Sequence, residues 1–222
     1  IEVNGKLNVT SLSNSPAYTG EFVLAEFSPK KLMKSLDMEV PHTAVEAALT
    51  SVAGDMQFAG SPGNFNMQDL SLKLDKSTFA GNFTIEGSED PLLTYDFEID
   101  QLNLDDYSTV DGQEGEADTG AEATDPAQAF GIFFAMRGGG DLRIGELVAS
   151  GLTITDIEVS TSADVNALRV LPISANLYGG QQQGDIKIDI SGGRPILTTN
   201  QVLSGVQMEG LLEDLTGSAR LQ

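Results

Sequence analysis

The side chains that most often act in catalysis are scarce in this sequence of 222 residues. It contains one histidine, His42, and no cysteine, which excludes a thiol nucleophile, a zinc–thiolate site and a disulfide. Nucleophilic triads and zinc sites also need a histidine with partners at suitable spacing, and His42 has no such partners. We therefore interpret His42 as a surface residue that precedes a predicted helix.

Two short patterns offer other candidate sites. Asp105-Asp106 is a carboxylate pair, but the alternating acids, glycine and distal glutamate of a calcium loop are absent. Gly138-Gly139-Gly140 follows Arg137, yet it lacks the Walker lysine and the spacing of either phosphate-binding loop. We interpret the acids as a charged turn after a strand, and the glycines as a loop before the strand of Leu142 and Ile144.

No catalytic constellation therefore emerges from the residue types and their spacing. The Gly-x-Ser-x-Gly pattern that holds the nucleophile of α/β-hydrolases is absent as well. The sequence predicts a protein that is not an enzyme and that binds neither a cofactor nor a metal.

The charge of the chain limits its partners. There are 33 acidic residues and 12 lysines and arginines, which gives a formal net charge of −21. Such a surface repels polyanions, so we predict that nucleic acid is not a partner, and charge alone would not hold the protein on an anionic membrane. Hydrophobic residues make up 40% and charged residues 20%, a composition typical of globular proteins.

Most of the sequence consists of short runs in which apolar and polar residues alternate, the pattern of half-buried β-strands. Each run places its apolar side chains on one face of a sheet and its polar side chains on the other. We predict a mainly β fold: a curved antiparallel sheet, forming a groove or a sandwich, with a few short amphipathic helices. The apolar positions singled out by this alternation are Leu70, Leu72, Leu74, Phe79, Phe83, Ile85, Tyr95, Phe97, Ile99, Leu152, Ile154, Ile173, Leu177, Ile186 and Ile188.

Three short helices are predicted, near residues 28–37, 43–50 and 206–215. The first begins at Ser28-Pro29, because serine can cap free amide groups and proline suits the first helical position. Its apolar spacing, which places leucine and methionine on one face, recurs in the third helix. A strand-like stretch precedes both of these helices.

An acidic segment divides the chain. Residues 111–125 contain glycine and acids but no large apolar residue, so burial cannot offset the entropy of ordering them. We predict a flexible linker or loop there, with β-rich halves over 1–110 and 126–222. The most apolar run, 129–136, is far shorter than the ~20 residues of a membrane-spanning helix. Because the chain starts in a strand-like stretch, we expect it to be a piece of a longer protein.

Several short motifs follow one another in a distinctive order. They are Phe27 with Ser28-Pro29 and Leu32-Met33-x-x-Leu36; Leu70-x-Leu72-x-Leu74-Asp75 with Ser77 and Gly81; Leu102-Asn103-Leu104-Asp105-Asp106-Tyr107; Leu171-Pro172-Ile173; Leu177-Tyr178-Gly179-Gly180; and Val206 to Leu215. In this order they resemble the C-terminal part of the AsmA family of membrane-anchored bacterial proteins. The series covers nearly the whole chain outside the acidic segment. It departs from the family at Asp164-Val165-Asn166-Ala167, where members usually have an Asp-Gly turn.

The resemblance implies a periplasmic body that is anchored to the inner membrane by a helix absent from this chain. It also implies kinship with TamB-like and chorein-type bridge proteins, whose curved sheets carry lipids in an apolar groove. The expected partner is then a phospholipid or another acyl lipid, and the fifteen apolar positions become lipid-facing candidates. The alternative is a scaffold that assists the assembly of outer-membrane proteins through strand-edge pairing.

Whether the apolar face is open is a separate question. Alternation alone favours a closed core, the usual outcome for a soluble sheet. The resemblance favours an open groove, and the sequence is compatible with both arrangements.

Overall fold

The computed structural model describes residues 1–11, 15–108, 137–164, 167–189, 191–192 and 194–216. Within these ranges the chain is mainly β, as predicted. Its elements are β1 (Val3–Thr10), β2 (Ala17–Phe27), α1 (Pro29–Ser35), β3 (Val52–Ser61), β4 (Asn64–Leu74), β5 (Ser77–Glu86), β6 (Leu92–Asn103), a 3-10 turn (Asp105–Tyr107), β7 (Arg137–Ala149), β8 (Leu152–Asp164), β9 (Ala167–Leu177), β10 (Gly180–Asp189), β11 (Ile196–Ser204) and α2 (Met208–Thr216). The predicted acidic linker, 111–125, lies outside the described residues.

The eleven described strands form one sheet in which their spatial order equals their order in the chain. Consecutive strands are antiparallel, as predicted, with one exception: β6 and β7 run parallel. This pair joins the last strand of the first predicted half to the first described strand of the second. The antiparallel prediction is therefore wrong at this pair, because a connection longer than a hairpin allows the next strand to enter in the same direction.

Two of the three predicted helices are present. In α1, Pro29 is the first residue and the Ser28 hydroxyl accepts a hydrogen bond from the Lys31 amide at 3.4 Å, the capping role predicted for it. The helix predicted at 43–50 is wrong, since that segment forms a single bridge followed by turns. Its last amides donate to the carboxylate of Asp75 instead of to a helical carbonyl.

Two aspartates interrupt the alternation of the strands. Asp69 in β4 and Asp156 in β8 both have left-handed backbones, with φ of 50°, a conformation that Asp adopts more readily than most residues. The pairing register shifts at both places. Such bulges bend a strand, and they return the apolar side chains that follow to the face of those that precede.

The glycine run at 138–140 lies inside β7, so the predicted loop at this place is wrong. Gly138 has φ of +135°, and a methyl group on it would overlap the carbonyl oxygen of Leu93 on the neighbouring strand. A methyl group on Gly140 would lie 2.6 Å from Cγ of Tyr95. The glycines therefore let β7 approach β6 closely, and the Tyr95 hydroxyl reaches across β7 to Oγ1 of Thr161 at 2.6 Å.

The Leu177-Tyr178-Gly179-Gly180 motif forms the hairpin between β9 and β10. Tyr178 and Gly179 have φ of 47° and 73°, and positive φ at both central residues is the mark of a type I′ turn. Gly180 is required next, because a side chain there would overlap the Ser204 carbonyl and the Val206 amide. The order of these residues thus has a local steric cause.

Candidate functional site

Register places the predicted apolar positions together. Residues directly opposite one another on neighbouring strands share a face, and one such row runs from Phe83 through Tyr95, Gly140, Thr161 and Val170 to Ile186. Parallel rows contain the other members. On this basis twelve of the fifteen candidates lie on one face: Leu70, Leu72, Leu74, Phe79, Phe83, Ile85, Tyr95, Phe97, Ile99, Ile173, Ile186 and Ile188.

The other three candidates, Leu152, Ile154 and Leu177, lie on the same face. For the two β8 residues this follows from the bulge in that strand. Leu177 alternates with Ile173 along β9, and the pairing of Thr155 with Asn176 places Ile154 beside Leu177. Leu152 lies two residues from Ile154. All fifteen positions therefore belong to one surface, which we call the apolar face.

The apolar face has no second layer over it among the described residues. Each described strand packs on its neighbours in the sheet, and, within the described ranges, α2 also packs against β8. All fifteen side chains are half-buried. Five apolar side chains are buried, namely Ala48, Met67, Ala167, Leu168 and Ala175, and no large side chain within the described ranges is fully enclosed. The described residues thus form an open sheet, not a closed sandwich.

Aromatic rings cross several strands of the apolar face. The ring centroids of Phe22 and Phe58 are 5.3 Å apart, those of Phe58 and Phe65 are 6.3 Å apart, and those of Phe65 and Phe83 are 5.4 Å apart. This series connects β2, β3, β4 and β5. Stacked and tilted ring pairs at such distances stabilise the sheet beyond their burial alone.

The opposite face of the sheet is polar. It carries exposed ion pairs between neighbouring strands, such as Lys6 with Glu21 at 2.9 Å and Arg143 with Asp96 at 2.5 Å. Hydrogen-bonded threonines, Thr84 and Thr94, face each other nearby. Exposed pairs of this kind contribute little to stability, so this face is the one suited to water.

A hollow in the apolar face lies over β1 to β4. It has a volume of about 370 Å³, and we call it the apolar depression. Its lining residues are Val3, Phe22, Leu24, Gly54, Asp55, Met56, Leu70, Ser71 and Leu72. By strand alternation the side chains of Asp55 and Ser71 belong to the polar face, so the side chains that line the depression carry no polar group.

A second cavity, of about 430 Å³, lies at the end of the sheet where α1 and the 3-10 turn are. Asp75 there accepts hydrogen bonds from the amides of Leu49, Thr50 and Ser51 at 2.7 to 3.0 Å, and from the Tyr107 hydroxyl at 3.0 Å. Partial burial opposes ionisation of Asp75, but these donors outweigh it and lower its pKa. Burial and the neighbouring Asp75 carboxylate raise the pKa of Tyr107 to about 12.

Asp75 and Tyr107 are therefore structural, and we call the pair with its amide donors the Asp75 clasp. Both residues lie at the ends of motifs singled out in the sequence, Asp75 after Leu74 and Tyr107 after Asp106, but their contact was not predicted. The Asp105-Asp106 turn was correctly predicted, and the structure adds a role: the Asp105 carboxylate accepts from the amides of Ser150 and Gly151, each at 2.7 Å. His42 is exposed, as predicted.

These features define the described part of the chain as an open, single-layer β-sheet with one apolar and one polar face. Comparison with known proteins finds no match: no protein-family model, no curated protein and no solved structure is significantly similar to this chain. None of the described helices has the length and apolar content needed to cross a membrane. Within the described ranges, no group of three histidine or acidic side chains is arranged to hold a metal ion.

Proposed function

We propose that this chain is a periplasmic β-groove segment of an AsmA-family protein that shields phospholipid acyl chains during transport between the inner and outer membranes. The observation that carries the proposal is the apolar face, which gathers fifteen apolar positions on one surface that no described element covers. In this proposal the segment is tied to the inner membrane by a part of the protein outside this chain.

The energy of lipid transfer explains why such a face is useful. Exposing an acyl chain to water costs about 0.8 kcal/mol for each CH2, or on the order of 10 kcal/mol for a whole chain. An open apolar face removes most of this cost wherever it is continuous. Ten inter-strand spacings of ~4.8 Å make the described sheet about 48 Å wide, and its apolar face is richest in apolar side chains toward β1 to β6.

Movement along the face needs weak, repeated contacts. Leu, Ile and Phe contacts are non-directional and depend on area, so a chain that slides from one strand to the next exchanges similar contacts. The polar face with its exposed ion pairs stays in water during this movement. The geometry therefore supports passage of a lipid as well as its storage.

We expect the purified protein to transfer a fluorescent phosphatidylethanolamine from donor vesicles, in which a second lipid quenches it, to unlabelled phosphatidylcholine acceptor vesicles. The rate should rise in proportion to protein concentration and exceed spontaneous transfer at least tenfold, because the apolar face lowers the cost of the exposed chain. A contents-mixing assay on the same vesicles serves as the control against fusion. Transfer that stays at the spontaneous rate at every protein concentration would refute the proposal.

A second candidate function is a scaffold for outer-membrane protein assembly. It is favoured by one observation: the edge strands β1 and β11 are exposed along their whole length, and unpaired edges accept additional strands. In that case Thr198→Lys on β11 would abolish capture of an outer-membrane protein, whereas a lipid carrier with this substitution would retain vesicle transfer.

A further inference from the structure

Five aromatic side chains of the apolar face have a glycine as their cross-strand neighbour. Five rings lie directly across from a glycine on a neighbouring strand, and the pairs are Phe22 with Gly5, Phe58 with Gly20, Tyr18 with Gly60, Phe97 with Gly81, and Tyr95 with Gly140. In a strand, glycine weakens the sheet and often marks a place of close approach. Its repeated use on one face, each time opposite a ring, calls for a cause.

The distances show what the glycines permit. A methyl group on Gly5 would lie 2.5 Å from Cδ1 of Phe22, and one on Gly20 or Gly60 would overlap the ring of Phe58 or Tyr18. Each ring therefore lies over the glycine backbone, in the space that a side chain would fill. This covering stabilises a glycine within a sheet, and it keeps the ring close to the sheet surface.

The first six strands form the more apolar part of the face. Every phenylalanine in the described residues lies between β2 and β6. Toward the other edge the same face carries polar side chains, among them Gln182, Gln201 and Thr199. The apolar depression also lies at the aromatic end, over β1 to β4.

We propose that one acyl chain of a bound lipid lies in the apolar depression and over the rings of β2 to β5. Gly5, Gly20 and Gly60 determine this site by holding the rings of Phe22, Phe58 and Tyr18 close to the sheet surface. This inference rests on the proposed function and names where on the sheet the chain binds. The lining offers no hydrogen-bonding side chain, so a headgroup or a peptide backbone would bury polar groups without partners. An alkyl chain has no such cost.

The dimensions agree with this occupant. Four spacings of ~4.8 Å place β5 about 19 Å from β1. Half of a hydrocarbon core ~30 Å thick is about 15 Å, the reach of one lipid chain in its leaflet. The aromatic end of the face can therefore cover one chain along its length.

The test uses the absence of tryptophan from the chain. Phe22→Trp introduces a single tryptophan at the apolar depression, and Ile186→Trp introduces one on the same face at the far end; tryptophan is excited selectively beside the four tyrosines. Dibromostearate, which quenches tryptophan on contact, should quench the Phe22→Trp protein saturably and leave the Ile186→Trp protein nearly unchanged. Equal quenching of both, or quenching confined to Ile186→Trp, would overturn the inference while leaving the proposed function standing.

The role of the glycines is tested in the Phe22→Trp protein. Adding Gly20→Ala should weaken dibromostearate binding about tenfold, since the methyl group displaces the Phe58 ring into the space of the chain. Gly192→Ala is the matched control, because a methyl group there meets nothing within 4 Å. Adding Phe58→Leu to Gly20→Ala should restore binding, because the smaller side chain leaves room for the methyl group. Such a rescue would not occur if Gly20→Ala weakened binding only by destabilising the fold. Binding unaffected by Gly20→Ala in a folded protein contradicts the inference, and a protein that binds no dibromostearate with either reporter refutes the proposed function as well.

Discussion

Replacing Phe83 by aspartate should abolish lipid binding while the protein remains folded. Phe83 is half-buried on the apolar face, where its ring lies 5.4 Å from that of Phe65. A carboxylate beneath an acyl chain would lose its hydration without gaining a partner, which costs several kcal/mol. We therefore expect lipid affinity to fall by a hundredfold or more, measured by retention of radiolabelled phospholipid after gel filtration.

The neighbouring residue provides the control for this prediction. Asn82 is exposed and points to the polar face, so Asn82→Asp adds the same charge one position away without touching the lipid surface. It should bind lipid like the unmodified protein. Phe97→Asp should repeat the effect of Phe83→Asp. If Phe83→Asp and Phe97→Asp fold and retain their lipid, the apolar face is not the binding surface.

The largest effect on stability is expected at the Asp75 clasp. Asp75→Ala removes an acceptor for three backbone amides and the Tyr107 hydroxyl. Leaving partly buried donors unsatisfied costs about 1–3 kcal/mol, so the free energy of unfolding in urea should fall by about 2–4 kcal/mol. Asp55→Ala, which removes an exposed carboxylate from the polar face, should change it by less than about 0.5 kcal/mol.

The pKa of Asp75 gives this prediction a pH dependence. Its pKa is lower in the folded protein than in the unfolded chain, so the folded state is stabilised by ionised Asp75. That stabilisation is complete above the ordinary aspartate pKa of about 3.9 and is lost as pH falls through the lowered value. The stability difference between the unmodified protein and Asp75→Ala should therefore be constant from about pH 5 to about pH 7 and should shrink in acid. A difference independent of pH down to full protonation would show that the carboxylate charge is not what holds the clasp.

Alternation of apolar residues was sufficient to predict the mainly β fold and the grouping of the apolar positions. The strands between the two edge strands are largely half-buried, and such a strand needs one apolar row. Strict alternation fails at Asp69 and Asp156, because each of these left-handed residues forms a bulge. The bulge adds one residue to the strand that a two-residue period does not account for. Without that bulge, Met67 and Leu70 would lie on opposite faces, whereas the structure places both on the apolar face.

Other features depend on contacts between distant parts of the chain. The 43–50 segment has helical spacing, but Asp75, about 25 residues later, binds its last amides and fixes turns instead. The glycine run at 138–140 was interpreted as a loop since glycine is uncommon inside strands. Glycine is needed there because β6 and the Tyr95 ring approach β7 closely. Only the pairing of the two strands reveals this contact.

The openness of the apolar face also depends on the whole sheet. Strand patterns for a groove and for a sandwich are the same, because both need one apolar face per strand. What distinguishes them is the strand order. The eleven described strands, in sequential order, make one continuous layer, and the described helices lie at its end, where they leave the apolar face uncovered.

The most direct test of the central claim is native mass spectrometry of the purified chain, followed by solvent extraction and lipid analysis. An open apolar face predicts phospholipid bound in near-stoichiometric amount, which exchanges when the protein is incubated with vesicles of a different phospholipid. A stable protein that is free of lipid and takes none from vesicles would contradict it, and would direct attention to the exposed edges of β1 and β11.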